Sequence, residues 1–270
     1  MHDSQLSQQD LWAVNSPGFD LVMHRSWPAL EVLEHQGWLL RSARGVTKRA
    51  NSVLPLKADS TQRQDGAAGV GAGLLSAVQF AEAHYRSLDL PCIFQRRLRT
   101  EPAGLTELLR QRGYTDQAAT EVMTRPMPAD LAERDDFEIE YTVSPSAEWL
   151  DFMQPGGEQA QHRRTTLAEL FGAGTAIYGS VRRQGQIAAI GRLSIDPQSG
   201  WAGLAALATD PAQRGQGMGS ELISGLLARG RERGANRVFL QVERSNPAAR
   251  RLYTRLGFEH SGDYFYSIAE

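Results

Sequence analysis

The chain has 270 residues, 41% of them hydrophobic and 22% charged, with a formal net charge of −2 and a pI near 6.3. This is an ordinary globular composition with enough length for a sizeable core, and the charge balance argues against a protein built to coat nucleic acid. No apolar run approaches the roughly 20 residues of a membrane span, and a single cysteine, Cys92, leaves no internal disulfide. The opening MHDSQLSQQD has neither a basic nor an apolar leader region, so a cytoplasmic location is expected.

In chain order, GWLLRSARGVTKRANSVLPL (37–56) reads as a strand pair, with Lys48, Arg49, Asn51 and Ser52 forming a polar run inside it. QDGAAGVGAGLL (64–75) reads as a flexible loop and helix start containing Gly69, Gly71 and Gly73. A helix follows, then a strand at LPCIF, where Cys92 reads as a small buried apolar residue. QRRLR (95–99) reads as the end of that strand. A second helix ends at Gly113, and a strand starts at Tyr114. MTRPMPADLAERDD (123–136), bearing prolines and turning acidic, reads as a linker.

The second half begins with TAIYGSVRRQGQIAAIGRLSID, two strands joined by a tight turn at Gln184 and Gly185. WAGLAALATD is a third strand. After the glycines at 215, 217 and 219, Leu222, Ile223, Leu226 and Leu227 fall at helical spacing, and Gly234 is the stop. RVFLQVE is the next strand. NPAARRLYTRLG then reads as a short helix with Asn246 as cap, Pro247 in the first turn and Gly257 as terminator. FEHSGDYFYSI is the last strand.

A strand feeding a glycine-rich turn at a helix N-terminus is suited to bind an anion. Amides at the turn lack helical partners, the helix dipole favours negative charge, and glycines let phosphate oxygens approach the backbone. Arg214 adds charge to the same place. A flexible loop before a helix is the simpler alternative at this level. The loop has no lysine before Ser220, which rules out a Walker A reading. Three strands precede it, two of them in a hairpin, which does not suit a Rossmann site.

Gln213-Arg214-Gly215-Gln216-Gly217-Met218-Gly219 resembles the pyrophosphate loop Q/R-x-x-G-x-G/A of the GNAT superfamily of acyl-CoA-dependent N-acyltransferases. Asn246, Ala249, Tyr253, Gly257 and Phe258 are similar to that superfamily's second signature at the required spacing. The resemblance implies an α/β (α+β) fold, a mixed and mostly antiparallel sheet with flanking helices. It also implies a reaction between acetyl-CoA and the primary amine of a small molecule or peptide. The backbone of Leu207, Ala208 and Thr209 would pair with the pantetheine arm, and the amides of Gly215, Gln216, Gly217, Met218, Gly219 and Ser220 would hold the pyrophosphate beside Arg214. A backbone N–H near Leu207 would stabilise the oxyanion, Tyr253 would protonate the leaving thiolate, and Asn246 would add a contact to the arm.

The first half reads as a worn copy of the second. Pro102 aligns with Pro247, Phe94 with Phe239, and Gly113-Tyr114 with Gly257-Phe258. The residue facing Tyr253 is Leu109, and no arginine stands where Arg214 stands. This resembles the tandem GNAT type, two GNAT-like halves in one chain. Residues 1–130 are the degenerate half and residues 137–270 the catalytic one. Arg49 and Asn51 are candidates to line an acceptor pocket between the halves, because ligand sites favour domain junctions. Glu243, at the end of its strand, is the candidate general base, directly or through water.

Six scattered histidines show no metal-ligand spacing, so no metal is expected. Two other functions stay open. Tyr253 weighs against an acyl-CoA-sensing module without catalysis, and the strand order weighs against a nicotinamide or flavin oxidoreductase.

Overall fold

The computed structural model describes residues 11–56, 67–129, 137–172 and 174–269. In chain order the elements are α1 (Pro17–Ser26), β1 (Glu31–His35), β2 (Trp38–Ser42), β3 (Val53–Leu54), α2 (Ala67–Ser87), β4 (Ile93–Arg96), α3 (Leu105–Gln111) and β5 (Tyr114–Pro126). There follow β6 (Glu138–Thr142), α4 (Ala147–Met153), α5 (Glu158–Gly172), β7 (Ala176–Arg183), β8 (Gln186–Asp196) and β9 (Trp201–Thr209). The chain closes with α6 (Met218–Glu232), β10 (Arg237–Glu243), α7 (Pro247–Arg255) and β11 (Glu259–Ala269).

Among the described residues the strands form one sheet in the order β1-β2-β3-β4-β11-β5-β10-β9-β8-β7-β6. Read outward from the β11–β5 pair, the order mirrors itself: β4 answers β10, β3 answers β9, β2 answers β8 and β1 answers β7. Only β3–β4 and β9–β10 are parallel, and they occupy equivalent places. The terminal strands are exchanged. β5 lies along β10, from Pro126↔Arg237 to Thr120↔Glu243, while β11 lies along β4, from Arg96↔Phe265 to Ile93↔Ile268. Each half of the sheet is therefore completed by a strand from the other half of the sequence.

β8 is buried on both faces except at its first residue, because helices cover it on both sides. Leu222, Ile223, Leu226 and Leu227 of α6 pack on one face with Leu193 and Val181. Trp149 of α4 and Leu167, Leu170 and Phe171 of α5 pack on the other with Tyr178 and Ile190. α6 lies so close that a Cβ on Gly191 would meet Leu226 Cδ1 at 3.0 Å and Leu222 Cδ2 at 3.3 Å. No helix among the described residues is long and apolar enough to cross a membrane.

Of four sequence expectations, two hold with added detail and two are corrected. The segment 37–56 holds the expected strand pair, β2 with the short β3, but residues 43–52 between them form a loop and β2 also pairs with β1. Gly71 and Gly73 lie inside α2 rather than in a loop, because apolar neighbours Ala77, Val78 and Ala81 hold that helix on the core. Met123–Pro126 belong to β5, not to a linker, since β10 supplies their ladder partners. The rest of the expected linker lies partly outside the described residues, as does much of the segment 64–75. QRRLR carries the end of β4 as expected, and its Gln95, Arg96 and Arg97 are buried, with Arg96 paired to Glu101 and Asp116 and Arg97 to Asp20.

Candidate active site

β9 and β10 pair only from Trp201–Arg237 to Leu204–Leu240. Beyond that point β10 stays with β5 as far as Glu243, and β9 stays with β8 as far as Thr209, so the two strands diverge. A bulge in β9 sharpens the split. The β8 pairing jumps from Arg192↔Ala205 to Ile190↔Ala208, so that Gly191 faces both Ala206 and Leu207. Ala206 has φ +52°, a left-handed conformation that costs a non-glycine residue about 1 kcal/mol. Local strain of this kind is concentrated at working sites.

The gap is a cleft of about 300 Å³ between Leu204–Leu207 on one side and Gln241–Glu243, Asn246, Ala249 and Tyr253 on the other. At one end it opens into a cavity of about 590 Å³. Leu207, Ala208, Thr209, Arg214, Gly215, Gln216, Gly217, Met218, Gly219, Ser220, Asn246 and Tyr253 all line that cavity. The loop reaches it through a single 3-10 turn at Pro211–Gln213, held by the Asp210 carboxylate accepting from Ala212 N at 2.9 Å. Gly215 and Gly217 have φ of +77° and +88°, and open space surrounds both, so backbone conformation and not crowding selects glycine. Gly217 is the N-cap of α6 and no side chain caps the helix. Ser220 N and Glu221 N both donate to Gly217 O, which leaves the leading amides of the helix to the cavity.

Tyr253 lines both the cavity and the cleft. It is 8% exposed, its ring edge lies against Phe258 with centroids 6.2 Å apart, and burial pushes its phenol up to about 12. Its phenol therefore stays protonated at neutral pH, on the wall shared by cavity and cleft. Asn246 caps α7, accepting from Ala249 N at 3.1 Å, and lines the same junction. Glu243 is exposed, accepts from Ser245 Oγ at 3.2 Å, and lines the cleft from the far side.

At its other end the cleft opens into a pocket of about 370 Å³. Its walls come from the loop after β2 (Thr47, Lys48, Arg49), from Trp27, from the exchanged strands (Ala118, Thr120, Tyr264, Tyr266), and from β9 and β10, including Glu243. Arg49 and Glu243 therefore share one pocket. Asn51 does not join them. Its side chain is consumed by the loop, accepting from Ala43 N and Gly45 N and donating to Val46 O and Thr47 O, all between 2.8 and 2.9 Å. The loop in turn holds Thr47 at φ +64°, with its Oγ1 accepting from Trp27 Nε1 at 3.2 Å. Asn51 is a positioning residue for Lys48 and Arg49. Asn51→Ala strands these buried backbone groups and should lower stability by about 2–4 kcal/mol. A urea-unfolding shift below about 0.5 kcal/mol would contradict this role.

Two contributions escaped the sequence reading. Arg183 reaches across from β7, donating to Gln213 Oε1 at 3.2 Å and to Gln216 Oε1, and so steadies the glycine loop. Arg255, on the exposed face of α7, lines the large cavity. Tyr264 and Tyr266 reach the pocket only through strand exchange, for which the sequence carries no local mark. In the first half, Leu109, the counterpart of Tyr253, is packed in the core with Val78 and Phe94. Cys92 is half-buried, and burial pushes its thiol up to about 12, as expected of a packing residue.

Residues 21–266 match the family model described as "Probable histone acetyltransferase Rv0428c C-terminal". The chain is 29% identical over 249 residues to "Uncharacterized N-acetyltransferase YobR" of Bacillus subtilis (strain 168), covering 90% of this chain and 94% of that one. A solved GCN5-related N-acetyltransferase from Kribbella flavida superposes with a TM-score of 0.63 at 19% identity, over 89% of this chain and 90% of that chain. A tandem GNAT protein from the clavulanic acid biosynthesis pathway gives a TM-score of 0.65 at 13% identity, over 94% of this chain and 87% of that chain.

Proposed function

Since the chain belongs to the family described as "Probable histone acetyltransferase Rv0428c C-terminal" and has the GNAT fold in tandem form, we propose that it transfers an acetyl group from acetyl-CoA to an amine. The observation that carries this reading is that the β9–β10 cleft shares walls with the glycine-loop cavity on one side and with the second pocket on the other. Tyr253 lines the first junction and Glu243 the second. In this reading residues 137–270 supply the acetyl-CoA site and residues 1–130 supply one wall of the acceptor pocket.

The pyrophosphate sits on the amides of Gly215–Ser220 with Arg214 at the rim, and the pantetheine arm runs along Leu207–Thr209 as an added strand. The acceptor nitrogen enters from the second pocket after giving a proton to Glu243, directly or through water, and attacks the thioester carbonyl carbon. A backbone N–H near Leu207 stabilises the oxyanion. As the C–S bond breaks, the thiolate takes the proton of Tyr253, and the newly acylated nitrogen gives up its remaining extra proton to the phenolate, which leaves a neutral amide, the CoA thiol and the phenol restored.

A thiol-release assay with acetyl-CoA across a panel of amines tests the reading, run beside calorimetry with CoA. Amine-dependent release with a matching N-acetyl product supports it. Tight CoA binding with no release on any amine would reduce the protein to an acyl-CoA-binding module, and no CoA binding at all would overturn the site.

A further inference from the structure

The second pocket has an imbalance of charge. Lys48 and Arg49 both line it, and Glu243 is the single carboxylate among its lining residues. Glu243 accepts from Ser245 and makes no ion pair with either cation among the described residues. Arg49 is half-buried, with its guanidinium carbon 4.9 Å from the centroid of Trp27. Lys48 Nζ lies 5.9 Å from the centroid of Tyr266. These ring contacts hold the cations in place without neutralising them.

More positive charge stands behind this wall. Arg192 is fully buried, with its guanidinium 6.0 Å from the same Trp27 ring. It donates to Tyr178 Oη and Ser26 O, and its Nη2 has no hydrogen-bond partner. Arg41, also buried, donates to Ser52 and Gln95. Neither has a carboxylate partner among the described residues. Tyr266 offers no counter-charge, because burial holds its phenol well above the ordinary value of 10. Elsewhere the fold pairs its buried arginines: Arg96 with Glu101 and Asp116, Arg97 with Asp20. Buried charge is costly without a partner. Two cations lining an open pocket without a carboxylate partner, with two buried arginines behind them, fit an anion that arrives with the ligand.

We propose that the acceptor is a small amine bearing a carboxylate, which seats on Arg49 and Lys48 while the amine turns toward Glu243 and the cleft. The planar guanidinium matches a carboxylate through two parallel hydrogen bonds. The volume of about 370 Å³ accommodates a molecule of amino-acid size. A lysine-rich peptide does not suit this wall, since its cations would meet Lys48 and Arg49. The proposal rests on the acetyl-transfer reading and narrows its acceptor.

The test is acetyl transfer to the twenty common L-amino acids, each beside its carboxamide, with spermidine and a lysine-rich peptide alongside. The expected result is turnover of one or more acids, with kcat/KM falling about 100-fold in the matching carboxamide, chiefly through KM. Arg49→Gln removes a half-buried cation that has no carboxylate partner among the described residues, and keeps a polar side chain that can still hydrogen-bond Tyr264 or Tyr266, so it should fold. It should cut the acid-to-amide discrimination to within about threefold while leaving acetyl-CoA affinity by calorimetry unchanged. Lys48→Gln, at an exposed position, should reduce the discrimination less. Amides, spermidine or the peptide serving as well as the acids would overturn the proposal. So would discrimination that survives in Arg49→Gln, or acetyl-CoA binding with no acid turned over. Absence of acetyl-CoA binding would instead count against the acetyl-transfer reading itself.

Discussion

Tyr253→Phe should lower kcat by about 10²–10⁴-fold with the KM for acetyl-CoA little changed. The variant keeps the ring and its edge contact with Phe258, and removes only the hydroxyl at the junction of cavity and cleft. The hydroxyl's work falls in the chemical step, when the C–S bond breaks, so binding should be spared. A proton lost from this position is equivalent to roughly 3–5 kcal/mol at the barrier. The lower end of the range is expected, because water entering the cleft can replace the phenol in part. Burial pushes the phenol up to about 12, so it is protonated, and competent as an acid, throughout the neutral range. The alkaline limb of the parent kcat profile should therefore show no loss from Tyr253 below about pH 10. Rapid-quench kinetics, with chemistry limiting, is the appropriate measurement. Equal kcat in the two proteins would reduce Tyr253 to a packing residue and leave the acid unassigned.

Gly217→Asp should raise the Kd for acetyl-CoA by about 100-fold or more, by placing a carboxylate among the amides that hold the pyrophosphate. Nothing lies within 4 Å of a Cβ at this position, so the fold has room for the side chain. The φ of +88° costs a non-glycine residue about 1 kcal/mol, which a domain of this size should survive. Gly217→Asn separates the two effects: it shares the backbone penalty and tolerates the left-handed conformation, but brings no charge. It should lose far less affinity than the aspartate. Arg214→Glu, exposed at the rim, should weaken binding by about tenfold. Calorimetry checks all three, and unchanged affinity in both charge variants would remove the pyrophosphate from this loop.

The second half of the fold was legible because its local signals agree with its tertiary setting. The turn at Gln184 and Gly185 has positive φ at both residues, as a two-residue hairpin turn demands, Leu222 through Leu227 bury the face their spacing defines, and Asn246 caps α7. The loop residues 207–220 could be grouped from sequence because they are contiguous, and one turn at Pro211–Gln213 brings them round a single cavity. The first half was less legible for physical reasons. In 43–52 the Asn51 amide takes the place of a strand ladder, so a polar run reads as a strand end although it is a closed loop. Gly71 and Gly73 disfavour a helix locally, yet the apolar face from Ala77 to Tyr85 holds it. The exchange of β5 and β11 leaves no trace in either strand, because alternation records which face is buried and not which neighbour supplies the hydrogen bonds. The pocket walls at Ala118, Tyr264 and Tyr266 were hidden for the same reason.

A crystal structure of the protein with CoA tests the central claim most directly. The account predicts the pyrophosphate within hydrogen-bond distance of the amides of Gly215–Ser220 and the pantetheine arm between Leu204–Thr209 and Gln241–Glu243. It places the sulfur beside Tyr253, with the pocket at Arg49 open beyond it. CoA bound against α2 near Gly71 and Gly73, or anywhere that leaves the β9–β10 cleft empty, would contradict it.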